Sequence, residues 1–355
     1  MRILLLLLLA ACVATPSAEP DRRGALLLIG GGLDNDNGPV YERLLALASV
    51  PGTPRIAILT AATGPQEQEA IDKTEALRTW APHVAVDVVT REATTADTVV
   101  AIDRATALFF TGGDQQRITA RYRPGGAETP EWNAMRRLLA RGGVIAGASA
   151  GCAMMGERML EGGRSAAALG IAEEGAGAER LGPRVGSGMA FLPWGLTDSH
   201  FFERDRVGRL VAALVVGNER FGLGIGEDAA VEVDLASGEV RGVSVSESLL
   251  VDAAHARRDG GSWVGLRARM LRHGDRASLR VAAGGAPDAV PTAVDHEIPV
   301  AEPGQNRQLA SWRLFRQAAV EGAGVVSLRF DGWRVRAVAA GDGEVVFAID
   351  VAPSR

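Results

Sequence analysis

Val144-Ile145-Ala146-Gly147-Ala148-Ser149-Ala150-Gly151 sets a short aliphatic run directly against a corner made only of small residues. Val144–Ala146 reads as a small buried strand, and Cys152–Leu160 after the corner reads as a helix. The same alternation recurs on the amino-terminal side. Ala25–Ile29 is an apolar run ending in Gly30-Gly31-Gly32, Tyr41–Ala48 has helical spacing, and Arg55–Thr60 is apolar again. Glu67–Trp80 reads as a helix, His83–Val89 as a strand, Ala107–Phe110 as a strand ending in Thr111-Gly112-Gly113, and Glu131–Arg141 as a helix. Fully apolar strands separated by helices predict an α/β fold, a mostly parallel sheet with helices on both faces. In such sheets function gathers in the loops beyond the carboxyl ends of the strands, which here are rich in glycine.

The chain has 355 residues, 47% apolar and 23% charged, with a net charge of −5, as in an ordinary globular protein. Lys73 is the only lysine, and no run of basic residues stands out. Nucleic acid is therefore not an expected partner, because backbone phosphates demand clustered cations. Arg2 precedes the apolar run Ile3–Ala11, which is too short for a bilayer span of about 20 residues. Residues 1–20 read as an export segment. Leu9-Ala10-Ala11-Cys12 is similar to a bacterial lipoprotein box, with Cys12 as the lipidated residue and cleavage near Ala18 as the alternative. The expected location is periplasmic or extracellular, with membrane contact only through that lipid. The other cysteine is Cys152, so a lipid on Cys12 leaves no intramolecular disulfide.

At the other end, Pro287, Pro291, Pro299 and Pro303 mark residues 283–305 as a linker. In residues 306–355, Leu309, Trp312, Phe315 and Ala319 have helical spacing. Alternating runs follow at Val325–Phe330, Trp333–Val338 and Val345–Val351, with turns at Asp331-Gly332 and Gly341-Asp342-Gly343. This predicts a small accessory module, one helix and an antiparallel β-meander.

A serine on a sharp strand-to-helix corner has its hydroxyl pushed into the open, beside helix N–H groups that stabilise developing negative charge. Ser149 is placed in that way. It needs a base, and there are five histidines, His83, His200, His255, His273 and His296, none spaced from another as metal ligands are. His200 stands out, in Asp198-Ser199-His200-Phe201-Phe202-Glu203-Arg204-Asp205-Arg206. In an extended segment Asp198 and His200 point to one face. Arg204, Arg206 and Arg209 gather near the start of a helix containing Val207, Leu210 and Leu214.

Four motifs occur in order: Gly112-Gly113-Asp114-Gln115, Gly147–Gly151, Asp198-Ser199-His200-Phe201 with the three arginines, and Gly222-Leu223-Gly224-Ile225-Gly226-Glu227. Together they resemble the cyanophycinase family of serine peptidases, relatives of bacterial aspartyl dipeptidases with a class I glutamine-amidotransferase-like fold. Leu26–Gly32, Ile56–Gly64 and Gly265–Asp275 match as well, so the resemblance spans a peptidase domain over residues 24–282. It implies Ser149 as nucleophile, His200 as base and Glu227 as the residue orienting the histidine, with Asp198 as runner-up for that last role. It also implies an oxyanion hole from the N–H groups of Asp114 and Ala150. Gln115, Asp198, Arg204, Arg206 and Arg209 would line a cleft for aspartate-rich substrate. No metal or organic cofactor is implied; a homodimer is. The substrate would be cyanophycin or another aspartyl or isoaspartyl peptide.

The sequence departs from the family's pattern at Ser199, where cyanophycin-degrading members often carry glutamine, and at Gly226, where aspartate is more usual. Asp228-Ala229 also replaces a common polar pair. Two other readings compete: an envelope protein that binds acidic ligands without catalysis, and Cys152 as nucleophile.

Overall fold

The computed structural model describes residues 24–50, 52–171, 182–281, 284–287, 289–298, 310–321, 324–330 and 332–351. The expected export segment and Cys12 lie outside the described residues. The first half alternates as the apolar runs require: β1 (Ala25–Ile29), α1 (Gly38–Ala48), β2 (Arg55–Leu59), α2 (Gln66–Trp80), β3 (Ala85–Val89), α3 (Thr95–Arg104), β4 (Ala107–Phe110), α4 (Gln115–Tyr122), α5 (Pro130–Ala140) and β5 (Val144–Ala148). These strands pair in parallel, β1 with β5, β5 with β4, β4 with β2 and β2 with β3. Each central strand is buried on both faces. Leu26, Leu28, Leu59, Phe110 and Ile145 enter one core layer, while Leu27, Ile29, Ile58, Phe109 and Ala146 enter the opposite one. That is why their sequences are continuously apolar rather than alternating. Helices α3 and α5 begin where Thr94 and Thr129 accept a main-chain N–H three residues on, with Pro130 pre-set in the first turn of α5.

The chain after Ser149 does not form the helix expected over Cys152–Leu160. Helix α6 (Ala150–Ala153) is a single turn, and β6 (Arg158–Gly162) then pairs antiparallel with β7 (Arg184–Ser187). The cause is tertiary. The carbonyls of Met154 and Met155, which a longer helix would use, accept instead from the N–H groups of Met189, Phe191 and Leu192. Both methionine side chains are buried in the core.

The second half runs through α7 (Ser165–Ala168), β8 (Leu196–Asp198), α8 (Val207–Gly217), β9 (Phe221–Ile225), β10 (Ala230–Asp234), β11 (Glu239–Gly242), β12 (Ser248–Asp252), β13 (Arg257–Asp259), β14 (Ser262–Leu271) and β15 (Arg276–Ser278). It ends in β16 (His296–Ile298), α9 (Ala310–Arg316), β17 (Val326–Phe330), β18 (Trp333–Gly341) and β19 (Glu344–Val351). Strands β10, β11 and β15 extend the open side of β1 antiparallel, giving an eight-stranded sheet in the order β15-β11-β10-β1-β5-β4-β2-β3. A second sheet follows the order β16-β17-β18-β19-β14-β12-β9-β8, with β13 on β14.

This second sheet changes the reading of the carboxyl-terminal part. The expected helix and meander are present, but β19 pairs with β14, so the meander continues a sheet that includes β8 and β9. The stretch expected as linker contributes β16, which pairs in parallel with β17. Leu314, Phe315 and Phe347 share one core with Phe201, Phe202 and Leu210. Among the described residues no helix is long and apolar enough to cross a membrane. The carboxyl ends of β1 and β5 from one sheet, and of β8 and β9 from the other, meet at one place.

Candidate active site

Three corners are tied to the loop that leaves β1. The N–H of Ser149 donates to the carbonyl of Ile29 at 2.9 Å, that of His200 to Gly30 at 2.8 Å, and that of Asp228 to Gly31 at 2.8 Å. Ser149 has φ +53° and His200 φ +45°, both in the left-handed region that side chains avoid. Such strain persists only where surrounding bonds over-determine it, and here each residue is held from both directions along the chain. The carbonyl of Ser149 starts α6 by accepting from Cys152 and Ala153, and Phe201, next to His200, donates to Ile225 at the end of β9.

The side chains then form one unbroken line. Ser149 Oγ lies 2.7 Å from His200 Nε2, and His200 Nδ1 lies 2.6 Å from Glu227 Oε1. The imidazole is mostly covered while Glu227 is 40% exposed, so the line runs from the interior out to solvent. Burial pushes the His200 pKa below the usual histidine value of 6.5; the bond to Glu227 partly offsets this, and Arg204 and Arg206 push it down further. The ring is therefore neutral at neutral pH. With Glu227 accepting the Nδ1 proton, the Nε2 lone pair faces the Ser149 hydroxyl, as proton abstraction requires.

A consequence is open to direct measurement. Arg204 is exposed, so Arg204→Ala removes one repelling charge from His200 without opening the core. With His200 as the expected base, the neutral ring would be the working form, and activity would fall as pH drops through the His200 pKa. The acid limb of the kcat/KM profile should lie below the ordinary histidine range in the native protein and move to higher pH in Arg204→Ala. A limb that stays put would remove Arg204 from the electrostatics of the site.

Asp198 does not orient the histidine. It is fully buried, and its oxygens accept from Arg209 Nε at 2.7 Å, Arg209 Nη2 at 2.5 Å, Arg206 Nη1 at 3.3 Å and the Ser199 N–H at 2.9 Å. The two-residue alternation that put Asp198 and His200 on one face fails because the chain leaves the extended conformation at His200. The same contacts correct three of the expected substrate residues. Asp198, Arg206 and Arg209 form a buried ionic network beneath the site, with Arg209 Nη1 also donating to the Gly163 carbonyl and Arg206 Nη1 to that of Ser199. Gln115 is half-buried, and its amide donates to the Leu160 carbonyl at 2.8 Å. Of the three arginines, only Arg204 faces solvent.

This network has an expected cost when broken. Arg209→Ala leaves the Asp198 carboxylate buried with a single, poorly aligned arginine, a change that typically destabilises by about 3–5 kcal/mol. Urea denaturation of the two proteins measures it. Unchanged stability with a raised KM would instead mean that Arg209 grips substrate.

Asp114 does not supply an oxyanion N–H either. That N–H donates to the Ala62 carbonyl at 3.1 Å, and the Asp114 carboxylate caps α4 through the Gln116 N–H at 2.9 Å. Ala150 remains suited, because the first residue of a helix has no carbonyl one turn back to receive its N–H. Cys152 is fully buried, and burial pushes its thiol pKa far up, which excludes it as the nucleophile.

Sequence reasoning missed Gly31. A Cβ built there would lie 2.5 Å from His200 Cε1 and 3.0 Å from Ser149 Cβ, at φ +105°. The three consecutive glycines were visible, but only the packed site shows that the ring of His200 fills the space beside the second.

The model of Peptidase family S51 matches residues 26–238, more than half of the chain. The curated cyanophycinase of Trichormus variabilis is 32% identical over 188 residues, 50% of this chain and 58% of that protein. The cyanophycinase of Geminocystis herdmanii is 36% identical over 128 residues, 36% of this chain and 42% of that protein. The matches thus span about half the length of these relatives. Among solved structures, a peptidase from an acI-B1 Actinobacterium superposes with a TM-score of 0.54 at 16% identity, covering 73% of this chain and 98% of that one, a likeness of fold alone. With a family model matched from β1 through β10 and the motif residues gathered at one point, the chain belongs to Peptidase family S51.

Proposed function

We propose that the chain is a serine peptidase that cleaves aspartyl peptide bonds, with Ser149 as nucleophile, His200 as base and Glu227 as the residue orienting the imidazole. The observation that carries this reading is the continuous line Ser149–His200–Glu227, at 2.7 and 2.6 Å, on two strained corners braced by one loop. His200 Nε2 takes the hydroxyl proton as Ser149 Oγ bonds to the substrate carbonyl carbon. Glu227 holds Nδ1–H and stabilises the resulting imidazolium. The tetrahedral oxyanion is met by the Ala150 N–H at the start of α6. As the C–N bond breaks, His200 returns the proton to the leaving amine, leaving an acyl ester on Ser149. A water molecule then loses a proton to His200 and attacks the ester; as the C–O bond breaks, His200 gives that proton to Ser149 Oγ, freeing the acid and restoring the hydroxyl and the neutral ring.

For the substrate, the relatives named cyanophycinase favour cyanophycin, with β-aspartyl-arginine as the product. An outward guanidinium at Arg204 supports recognition of a carboxylate, since the fork of an arginine grips one with two hydrogen bonds. Dipeptide release from cyanophycin by the purified protein, beside Ser149→Ala, tests this. Release by the native protein alone supports both chemistry and substrate. No release from folded protein discards cyanophycin, and isoaspartyl peptides and binding of acidic ligands become the readings to test.

A further inference from the structure

Helix α9 lies beyond residues 26–238, the stretch matched by the family model, yet its polar side chains reach both corners that carry His200 and Glu227. Ser311 Oγ donates to Asp205 Oδ1 at 2.8 Å. Asp205 closes the turn that begins at His200: it has φ +46°, its N–H donates to the Phe202 carbonyl, and its own carbonyl accepts from Ser165 Oγ. Within that turn the Arg204 N–H donates to the carbonyl of His200 itself. One residue along α9, Trp312 Nε1 donates to Glu247 Oε2, and Arg316 stands 3.6 Å from Glu247 Oε1. The Glu247 main chain packs on Gly226, so closely that a Cβ there would meet its carbonyl oxygen at 2.9 Å, and Gly226 leads directly into Glu227.

The apolar side of α9 works on the same elements. Leu314 and Phe315 share a core with Phe201 and Phe202, the two residues after His200. Phe201 in turn lies flat over Gly224 of β9, where a Cβ would come within 2.5 Å of its ring. A turn with two left-handed residues, His200 and Asp205, is stable only if outside contacts define it. Three such contacts come from the main body, at Gly30, Ser165 and Ile225, and a further one comes from α9.

We propose that α9 is a positioning element of the active site, in which Ser311 holds the His200–Arg206 turn and Trp312 holds the Glu247–Gly226 contact beneath Glu227. Neither residue touches a reacting atom. Their effect is to keep His200 Nε2 at hydrogen-bonding distance from Ser149 Oγ while Nδ1 stays on Glu227. The inference rests on the reading of these three residues as the catalytic set.

The test uses the full chain carrying Ser311→Ala, Trp312→Phe or both, with Ser311→Thr as the conservative variant that retains a hydroxyl. Two measurements are made: kcat and KM for dipeptide release from cyanophycin, and the imidazole NMR resonances of the five histidines at one fixed pH. The expected result is a fall in kcat of about 10- to 100-fold in the double variant, with KM within about twofold, because small misplacement of a catalytic group has effects of that size. The His200 resonances shift while those of His83, His255, His273 and His296 keep their positions, and Ser311→Thr restores both readouts. Unchanged kcat and an unchanged His200 resonance in folded variants overturn the proposal. The NMR readout needs no substrate. A native protein without cyanophycin turnover whose His200 resonance still shifts in the variants would discard cyanophycin as the substrate and leave the positioning role standing. If the double variant does not fold, Ser311→Ala alone decides, since it removes one hydroxyl and the same displacement of His200 is required of it.

Discussion

Ser149→Ala is expected to lower kcat/KM by about 10⁴-fold or more while leaving the protein folded. On the proposed mechanism the substitution removes the atom that would carry the acyl ester. What remains, a neutral His200 held by Glu227 and the Ala150 N–H, can at best polarise water and carbonyl, the residual catalysis left when a triad member is lost. The lost structural contact is one hydrogen bond, 2.7 Å to His200, worth about 1 kcal/mol. Thermal unfolding should therefore barely move. If the three side chains act as one unit, as proposed, Ser149→Ala combined with His200→Ala should be no worse than either alone. Multiplicative losses would show that the two residues act independently, and retained turnover in Ser149→Ala would end the serine reading.

Gly31→Ala is the second large effect, at a residue that bears no functional group. A methyl group there would sit 2.5 Å from His200 Cε1, 2.6 Å from Nε2 and 3.0 Å from Ser149 Cβ, well inside van der Waals contact. The φ of +105° adds strain of about 1–3 kcal/mol for any residue with a side chain. The ring can escape only by leaving Ser149 Oγ, and a displacement near 1 Å costs about 100-fold in rate. The expected outcome is a fall in kcat of about 100-fold or more with a modest drop in melting temperature. Gly64→Ala is the control, because nothing lies within 4 Å of a Cβ at that glycine and its φ is not in the left-handed region. Near-native kcat in Gly31→Ala would mean that His200 does not work from the observed position.

The parts of this protein legible in its sequence are those governed by local pattern. Two-sided burial makes β1, β2, β4 and β5 continuously apolar, and that run of strands and helices specifies the α/β layering. The Ser149 corner was legible because only small residues can take so tight a turn. Helix α3 escapes such a reading, although Thr94 and Asp97 form a recognisable cap, because its apolar residues are bunched at Val99–Ile102 instead of recurring at helical spacing and much of the helix is exposed. The second sheet was hidden for a different reason. Its pairings, such as β14 with β19 and β9 with β12, join segments far apart in the chain, and register across such distances leaves no local trace.

The site divides in the same way. Ser149, His200 and Glu227 could be singled out from motifs, but their union at 2.7 and 2.6 Å depends on three N–H bonds from separate corners to the carbonyls of Ile29, Gly30 and Gly31. Which carboxylate faces the histidine was undecidable from spacing, because a single left-handed residue at position 200 reverses the direction in which its side chain points. Likewise Arg204, Arg206 and Arg209 are equivalent as letters. Burial decides that two of them neutralise Asp198 while one is left at the surface. The sequence by itself determined the layers of the core and the residues able to do chemistry, since apolar period and residue type are local properties. Only the tertiary structure decided which of those residues meet, which spend their charge inside the protein, and that α9 reaches the catalytic corners, since all of these depend on contacts between distant segments.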